Sequence, residues 1–180
     1  KAIYLSLCKS KIKNMLKELA LLSEIFGGFA VLISLIYVGI QFNKNVKATK
    51  SANASTTIAS LGNWYQQIGN NQESSKLFYD FMASPDSLTP QQRFQAVMNV
   101  HGIFIIFQNS YYLTKEGTLD PEMRNALTSV ILGAKDQPGF SFYWEQRKSF
   151  FFEEFRGYIE DIMRNNDAIK SVYKDFSKKQ

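Results

Sequence analysis

The 180-residue chain is poor in the residues that build covalent or metal-linked sites, with one cysteine, Cys8, and one histidine, His101. A single cysteine cannot form a disulfide within the chain, and one of each residue cannot supply a zinc site of the Cys/His type. No glycine-rich phosphate loop is present, because Gly27 and Gly28 stand inside an apolar run. The sequence therefore implies no catalytic residue, no metal and no cofactor, and we expect the protein not to be an enzyme.

Net positive charge is absent from most of the chain. Residues 1–50 carry eight lysines against two glutamates, whereas residues 51–180 carry 13 basic and 14 acidic side chains. Nucleic-acid binding needs a basic face on the folded domain, so we expect no nucleic-acid partner. Lysines on both sides of an apolar run are typical of anchoring at a membrane interface.

The apolar run covers residues 19–42 and contains one charged residue, Glu24. As a helix it would reach about 36 Å, compared with about 30 Å for the hydrocarbon core of a bilayer. The run therefore predicts a single transmembrane helix in a lipid bilayer, preceded by a basic segment at residues 1–18. A buried core helix of a soluble protein is the alternative.

The lysines around the run bear on its orientation. They are Lys9, Lys11, Lys13 and Lys17 before the run and Lys44, Lys47 and Lys50 after it. If translation begins at Met15, one lysine precedes the run and three follow, and the positive-inside rule places the C-terminal domain in the cytoplasm. The lack of paired cysteines agrees with that compartment.

Small residues line one face of the run. Ser23, Gly27, Ala30 and Ser34 are spaced by four, three and four positions, which places them on one side of a helix. Small side chains let two helix backbones approach closely within a membrane. The stripe predicts a homo-oligomer that forms through the membrane helix, and a chance recurrence of common small residues is the alternative.

Helical spacing of apolar residues continues to the end of the chain, and strand patterns are absent. We therefore predict an all-α protein in which the membrane helix continues into a long helix and then a small bundle of about five helices. The stripe Ile58, Leu61, Tyr65 and Ile68 predicts the side of the long helix that docks on the bundle. The predicted segments are a polar helical connector at residues 43–71, the helical domain at residues 72–165 and a tail at residues 166–180.

Local signals predict where the helices of the bundle begin and end. A short helix is expected over residues 73–83, and Thr89, Pro90 and Gln92 form the capping box of a long core helix. We expect Gly117 to end that helix and Gly133 to end the one after it, which begins at residues 120–121.

The last part of the bundle is rich in aromatic residues. The segment DQPGF at residues 136–140 predicts a turn, and FSFYWEQRK at residues 140–148 predicts a short helix. The apolar spacing after it predicts a final helix over residues 153–163.

His101 lies on the apolar stripe of the predicted core helix. A histidine can act as a base or a pH sensor, but a base needs a nucleophile or an oriented partner, and no motif supplies one. We therefore expect a core histidine that is hydrogen-bonded to Gln108 or to a tyrosine.

A set of aromatic and basic residues is the candidate ligand site. Tyr112, Trp144, Arg147 and Arg156 combine apolar rings that carry polar tips with guanidinium groups that can stack or bind anions. They could line a pocket for a small ligand, a lipid or a peptide. The alternative is a core edge at which Glu145 or Glu154 pairs with an arginine.

Three segments of the chain follow a recurring pattern: SEIFGGFAVLISLIYVGIQ, FQNSYYLTKEGTLD and PGFSFYWEQRKSFFFEEFRGYI. In them the chain resembles a widespread family of small, uncharacterised bacterial proteins, which have one N-terminal membrane helix with an E-I-x-G opening and an all-helical domain. The family usually has Ser-Pro at the start of its last helix, where this chain has Phe152 and Glu153. The resemblance implies the architecture only, and it implies no activity. With the predicted membrane helix, we expect the protein in the inner membrane of a bacterium.

These observations predict a membrane-anchored helical interaction or scaffold module that self-associates and binds an unknown protein partner. The alternative is a membrane-anchored sensor that binds a small ligand, lipid or peptide in the pocket of aromatic and arginine residues. A concave cavity lined by Tyr112, Trp144 and Arg156 would favour the sensor, and a fully packed domain would favour the scaffold.

Overall fold

The computed structural model describes residues 2–164, with side chains placed from residue 11 onward. Within these residues the chain forms six α-helices and two short 3-10 helices, and it contains no strand. The all-α prediction is confirmed, including the long N-terminal helix and the helical domain after it. The predicted tail at residues 166–180 lies outside the described residues.

The helices follow one another with short connections. They are α1 (Ala2–Gly69), α2 (Gln72–Ala83), α3 (Pro90–Lys115), α4 (Pro121–Ala134), α5 (Pro138–Arg147) and α6 (Glu153–Arg164). The 3-10 helices, Pro85–Ser87 and Lys148–Phe150, precede α3 and α6. The chain divides into two compact units, Lys1–Ala48 and Thr49–Gln180, so the last part of α1 belongs to the second unit.

The first unit consists of the N-terminal part of α1. Its apolar side chains, such as Phe26, Ile33 and Phe42, are exposed. The helix contains a stretch that is long and apolar enough to cross a membrane, and none of that stretch is buried. This agrees with the apolar run at residues 19–42, because side chains in the hydrocarbon core contact lipid and need no protein partner.

In the second unit, the last part of α1 packs on the other helices. The side-chain amide of Asn53 donates to the backbone oxygen of Thr118 at 3.0 Å. Further along, the indole N–H of Trp64 donates to the backbone oxygen of Asn99 at 2.8 Å. Asn53 and Trp64 are eleven residues apart on α1, which is about three helical turns. The two bonds therefore hold the same side of the helix against α3 and the loop after it.

The docking side of α1 differs in part from the predicted one. Ile58 is 56% exposed and Tyr65 is 47% exposed. Thr57 is buried and Trp64 is half-buried, so the inward side is turned by about one residue at these positions.

The prediction is confirmed for Leu61, which packs against the core, and for Ile68, which is half-buried. It was wrong for Ile58 and holds only in part for Tyr65, because the large indole of Trp64 gains both apolar burial and a hydrogen bond on the inward side.

The core of the second unit forms around α3. Phe104 lies at its centre, with ring centroids 4.7 Å from Tyr143, 5.5 Å from Phe140 and 5.7 Å from Trp144. All four side chains are buried. Each buried aromatic side chain contributes roughly 1.5–3 kcal/mol, so this cluster is a main source of the domain's stability.

Several predicted helix ends are confirmed. Thr89 and Gln92 form the capping box that begins α3, with Pro90 at the first helical position. Gly117 follows the end of α3 with φ of 70°, a conformation that glycine adopts without steric cost. The last helix was predicted over residues 153–163 and is observed over Glu153–Arg164.

Two helix ends differ from the sequence predictions, and both involve glycine. α4 continues past Gly133 to Ala134, with Gly133 buried inside the helix. The predicted turn at residues 136–140 is in part the first turn of α5, which begins at Pro138. Gly139 lies there because a Cβ atom would be 2.7 Å from the Cα of Met82. The glycine therefore permits close packing between two helices, and it does not form a turn.

Candidate functional site

Several large apolar side chains of the second unit are exposed on α3 and on the segment that leads into α6, among them Ile105, Tyr112, Phe150 and Phe152. The exposed fractions are 51% for Ile105, 51% for Tyr112, 62% for Phe150 and 67% for Phe152. Ile105, Tyr112 and Phe152 line one groove together, and Phe150 follows the same connection into α6. We call these four residues the apolar face.

A hydrogen bond from α3 fixes the position of Phe152. The side-chain oxygen of Gln108 accepts the backbone N–H of Phe152 at 3.0 Å. The backbone oxygen of Phe152 accepts the N–H of Arg156 at 2.9 Å, which begins α6. The side chain of Gln108 therefore satisfies the backbone N–H of Phe152. At this position the family that the chain resembles usually has Ser-Pro. The phenyl ring of Phe152 is left directed to the surface.

Trp144 lies in the core and is not part of the groove. Its side chain is 1% exposed, and its ring stacks on Phe151 with a centroid distance of 5.8 Å and an interplanar angle of 13°. The two grooves that Tyr112 lines include neither Trp144 nor Arg156. The residues predicted as one ligand site are therefore divided between the surface and the core.

The two arginines of the predicted site lie in different surroundings. The guanidinium carbon of Arg147 lies 5.2 Å from the centre of the Phe150 ring, which places a cation beside the apolar face. Arg156 is half-buried on α6. No side-chain hydrogen bond or ion pair of Arg156 is found among the described residues. Of the four predicted residues, Tyr112 belongs to the apolar face, and Arg147 lies beside it in contact with Phe150.

Ion pairs flank the apolar face. Lys115 donates to both carboxylate oxygens of Glu154, at 2.8 and 2.5 Å, and this bond raises the pKa of the lysine. Lys148 donates to Glu145 at 2.7 Å. The expectation that Glu145 or Glu154 pairs with an arginine was wrong. Both carboxylates pair with lysines instead of arginines: Glu145 with Lys148, three residues later, and Glu154 with Lys115, at the end of α3.

His101 connects the apolar face with the core. Its Nδ1 atom lies 2.8 Å from the hydroxyl of Tyr143, so the predicted partnership with a tyrosine is confirmed, while Gln108 bonds elsewhere. Burial and then the charge of Arg147 lower the pKa of His101, and burial raises the pKa of Tyr143. The hydroxyl therefore keeps its proton and the imidazole is the neutral form, and which of the two donates follows from the tautomer of His101.

The small-residue stripe of the first unit is exposed along α1. The hydroxyl of Ser23 donates to the backbone oxygen of Ala20 at 2.7 Å, and that of Ser34 donates to Ala30 at 2.8 Å. A Cβ atom at Gly27 would meet nothing within 4 Å. Because both hydroxyls are satisfied within the helix, the stripe can lie in hydrocarbon without an unpaired donor.

The exposure of Ile105, Phe150 and Phe152 was not predicted from the sequence. A signal was present in the run SFFFEEF, where three phenylalanines are consecutive. Successive helical or near-helical residues point about 100° apart, so all three cannot enter one core. Phe151 is 6% exposed, and its two neighbours are turned outward.

No three His, Cys, Asp or Glu side chains lie close enough to hold a metal ion in residues 11–164. Comparison of the chain with known protein families, characterised proteins and solved structures finds no match among any of them. The geometry of the described residues is therefore the basis for any statement about function.

Proposed function

We propose that the protein is a membrane-anchored helical interaction module, without catalytic activity, whose apolar face binds a partner protein. The observation that carries the proposal is the exposure of Ile105, Tyr112 and Phe152 along one groove, with Phe150 also exposed two residues before Phe152. Contiguous exposed apolar surface marks sites of interaction, and aromatic residues with arginine are enriched at the centres of protein interfaces.

The surroundings of the face suit a protein partner. Arg147, Lys115 and Lys148 lie around it together with the carboxylates that pair with the lysines. An apolar centre inside a rim that carries both charges is the usual arrangement of a specific protein interface. The charged rim would set the orientation of the partner, and the aromatic side chains would supply most of the affinity.

The anchor of this module is α1. In the proposal the apolar run crosses the inner membrane of a bacterium once, with the second unit in the cytoplasm. Lys44, Lys47 and Lys50, directly after the run, support this orientation by the positive-inside rule. The small-residue stripe supports a homo-oligomer that forms through the membrane helix. The bacterial assignment rests on the family resemblance alone.

The second proposal is a membrane-anchored sensor, with a ligand site different from the one predicted from the sequence. The predicted pocket would need Tyr112, Trp144 and Arg156 around one cavity, and Trp144 lies in the core. The observation that favours a ligand site in this domain is an apolar cavity elsewhere in the second unit, which is described below.

Site-specific photo-crosslinking in cells tests the interaction module. A photoreactive phenylalanine analogue replaces Phe152 or Tyr112 in the full chain, and the matched control places it at Ser129, an exposed position on α4. We expect one protein adduct of defined mass from the first two positions and none from Ser129. Equal labelling from all three positions, or no adduct from Phe152 and Tyr112, would contradict the proposal.

A further inference from the structure

The second unit contains an apolar cavity between the end of α1 and the core helices. Its volume is about 200 Å³. Trp64, Tyr65 and Ile68 of α1 form one wall, and the other walls come from α2, α3, α4 and α5. None of its lining residues belongs to the apolar face, so the cavity is separate from the proposed protein interface. The choice of ligand rests on the membrane anchor of the proposed function.

The wall contributed by α1 is held in place. The N–H of Trp64 donates to Asn99, and its ring packs edge to face on Phe78 at 5.4 Å and on Tyr65 at 5.3 Å. The hydroxyl of Ser75 in α2 donates to the backbone oxygen of Ile68 at 2.6 Å. The cavity is therefore preformed, and a ligand would not have to order its walls on binding.

The chemistry of the lining restricts what can bind. None of the side chains that line the cavity is charged, and the indole N–H of Trp64 is already bonded to Asn99. The one other polar side-chain group is the hydroxyl of Tyr65, an exposed residue. A polar group placed among the apolar side chains would lose its hydrogen bonds to water without gaining new ones, which is costly. An apolar cavity of about 150 Å³ is known to stay dry and to bind small apolar molecules. The bound part of a ligand must therefore be hydrocarbon.

The cavity is open to the surface. Two of the residues that line it, Tyr65 and Gly69, are exposed. A ligand with one apolar end can insert that end and keep its polar head in water. The same chain carries a helix that is apolar enough to cross a membrane, and membranes supply alkyl chains at high local concentration. We infer that this cavity binds the end of an unbranched alkyl chain, contributed by a free fatty acid or by a membrane lipid.

Fluorescence quenching by brominated alkyl chains tests this inference on the full-length protein in phospholipid nanodiscs. Bromine quenches an indole that it contacts, and Trp64 lies in the cavity wall. One arm adds a free fatty acid with a dibrominated chain to nanodiscs of ordinary phospholipid. The other arm uses nanodiscs in which the phospholipid itself carries that chain. Saturable quenching in the first arm identifies a free acid as the source, and quenching in the second arm alone identifies a lipid tail.

A matched pair of variants on α4 assigns the quenching to the cavity. Ala134→Phe fills the cavity, and Ala126→Phe places the same ring at an exposed position of the same helix. We expect Ala134→Phe to weaken the saturable quenching at least tenfold and Ala126→Phe to leave it unchanged. If Ala134→Phe lowers the melting temperature, Val130→Phe takes its place, because Val130 lines the same cavity.

The length of the alkyl chain gives a second readout. Each methylene that enters the cavity should lower the dissociation constant of the fatty acid by about fourfold, when it is calculated from the concentration of free acid. The gain should stop when the chain is longer than the cavity. Quenching that is equal in Ala134→Phe and Ala126→Phe, or no saturable quenching in either arm, would overturn the inference.

Discussion

Gly139 in the first turn of α5 lies directly against the backbone of Phe81 in α2. A Cβ atom at residue 139 would stand 2.7 Å from the Cα of Met82 and closer still to the carbonyl of Phe81. Backbone atoms cannot move aside as a flexible side chain can. The contact therefore fixes how near the two helices lie, and with them the position of the aromatic residues that α5 places in the core.

Replacing Gly139 by alanine should destabilise the second unit. We expect Gly139→Ala to lower the free energy of unfolding by about 1–3 kcal/mol, the usual range for overpacking. Urea unfolding of the full chain in mild detergent, followed by circular dichroism, measures the change. Gly157→Ala in α6 is the matched control, since a Cβ atom there meets nothing within 4 Å. It should be neutral or stabilising by up to about 1 kcal/mol. Equal effects of the two substitutions would contradict this account.

Trp144 should behave as a core residue in stability measurements. Trp144→Ala should cost about 3–5 kcal/mol, as is typical for a buried tryptophan. Trp144→Phe should cost clearly less, because its indole N–H has no partner among the described residues and an aromatic ring is retained. Arg156→Ala should cost about 0–1 kcal/mol. A melting curve of Trp144→Ala close to that of the wild type would show that this side chain is not part of the core.

The neighbouring phenylalanines 151 and 152 should respond in opposite ways. Phe151→Ala removes a buried ring and should cost about 3–5 kcal/mol. Phe152→Ser removes an exposed ring and should not lower stability, because the residue stands directly before α6 and serine is a favoured cap there, while it reduces crosslinking from Tyr112. Thermal unfolding and the crosslinking yield measure the two effects. Loss of crosslinking together with loss of stability in Phe152→Ser would mean that the ring has a structural role.

The stability of the second unit should depend on the protonation of His101. Its pKa is lowered in the folded state by burial and by Arg147, compared with 6.5 in the unfolded chain. Above pH 6.5 the imidazole is neutral in both states. As the pH falls below 6.5, the unfolded state takes up a proton before the folded state does, so stability decreases until the folded pKa is passed.

Comparison with His101→Gln isolates this effect from that of the carboxylates. Glutamine does not titrate and can still form a hydrogen bond with Tyr143. We expect the wild type to lose more stability than His101→Gln between pH 7.5 and pH 5, as measured by urea unfolding. Parallel pH profiles of the two proteins would show that His101 does not contribute to the pH dependence.

Self-association should depend on the small-residue stripe of α1. Gly27→Ile should weaken it in a membrane two-hybrid assay, because a bulky side chain separates the two backbones. Leu32→Ile is the matched control, since residue 32 lies nine positions from Ser23 and so on the opposite side of the helix. An unchanged signal for both Gly27→Ile and Ala30→Ile would remove the stripe from the interface.

Several features that depend on residues close together in the sequence were predicted correctly. The capping box of Thr89 and Gln92 and the ending of α3 near Gly117 depend on contacts within a few positions, and both were predicted correctly. Gly139 was not, because its role depends on Phe81, which is far away in the sequence. A glycine after a proline indicates a turn unless the distant contact is known.

The candidate site was predicted less well for a related reason. Aromatic and basic residues were grouped together by their chemistry, but burial is decided by the direction of each side chain. Trp144 turns into the core, whereas Phe152 is turned outward by a bond from Gln108 to its backbone. Composition indicates that an aromatic cluster exists, and only the fold shows which of its rings are available to a partner.

The docking of the last part of α1 determines where the chain can be shortened. A fragment that begins at residue 72 would lack Trp64 and Asn53, and it would expose the side of α3 around Phe104 to water. Such a fragment should aggregate during expression. A fragment that begins at Thr49, the start of the second unit, keeps both residues while leaving out the apolar run. For crystallisation or screening without detergent, the useful boundary therefore lies inside a helix and not in a loop.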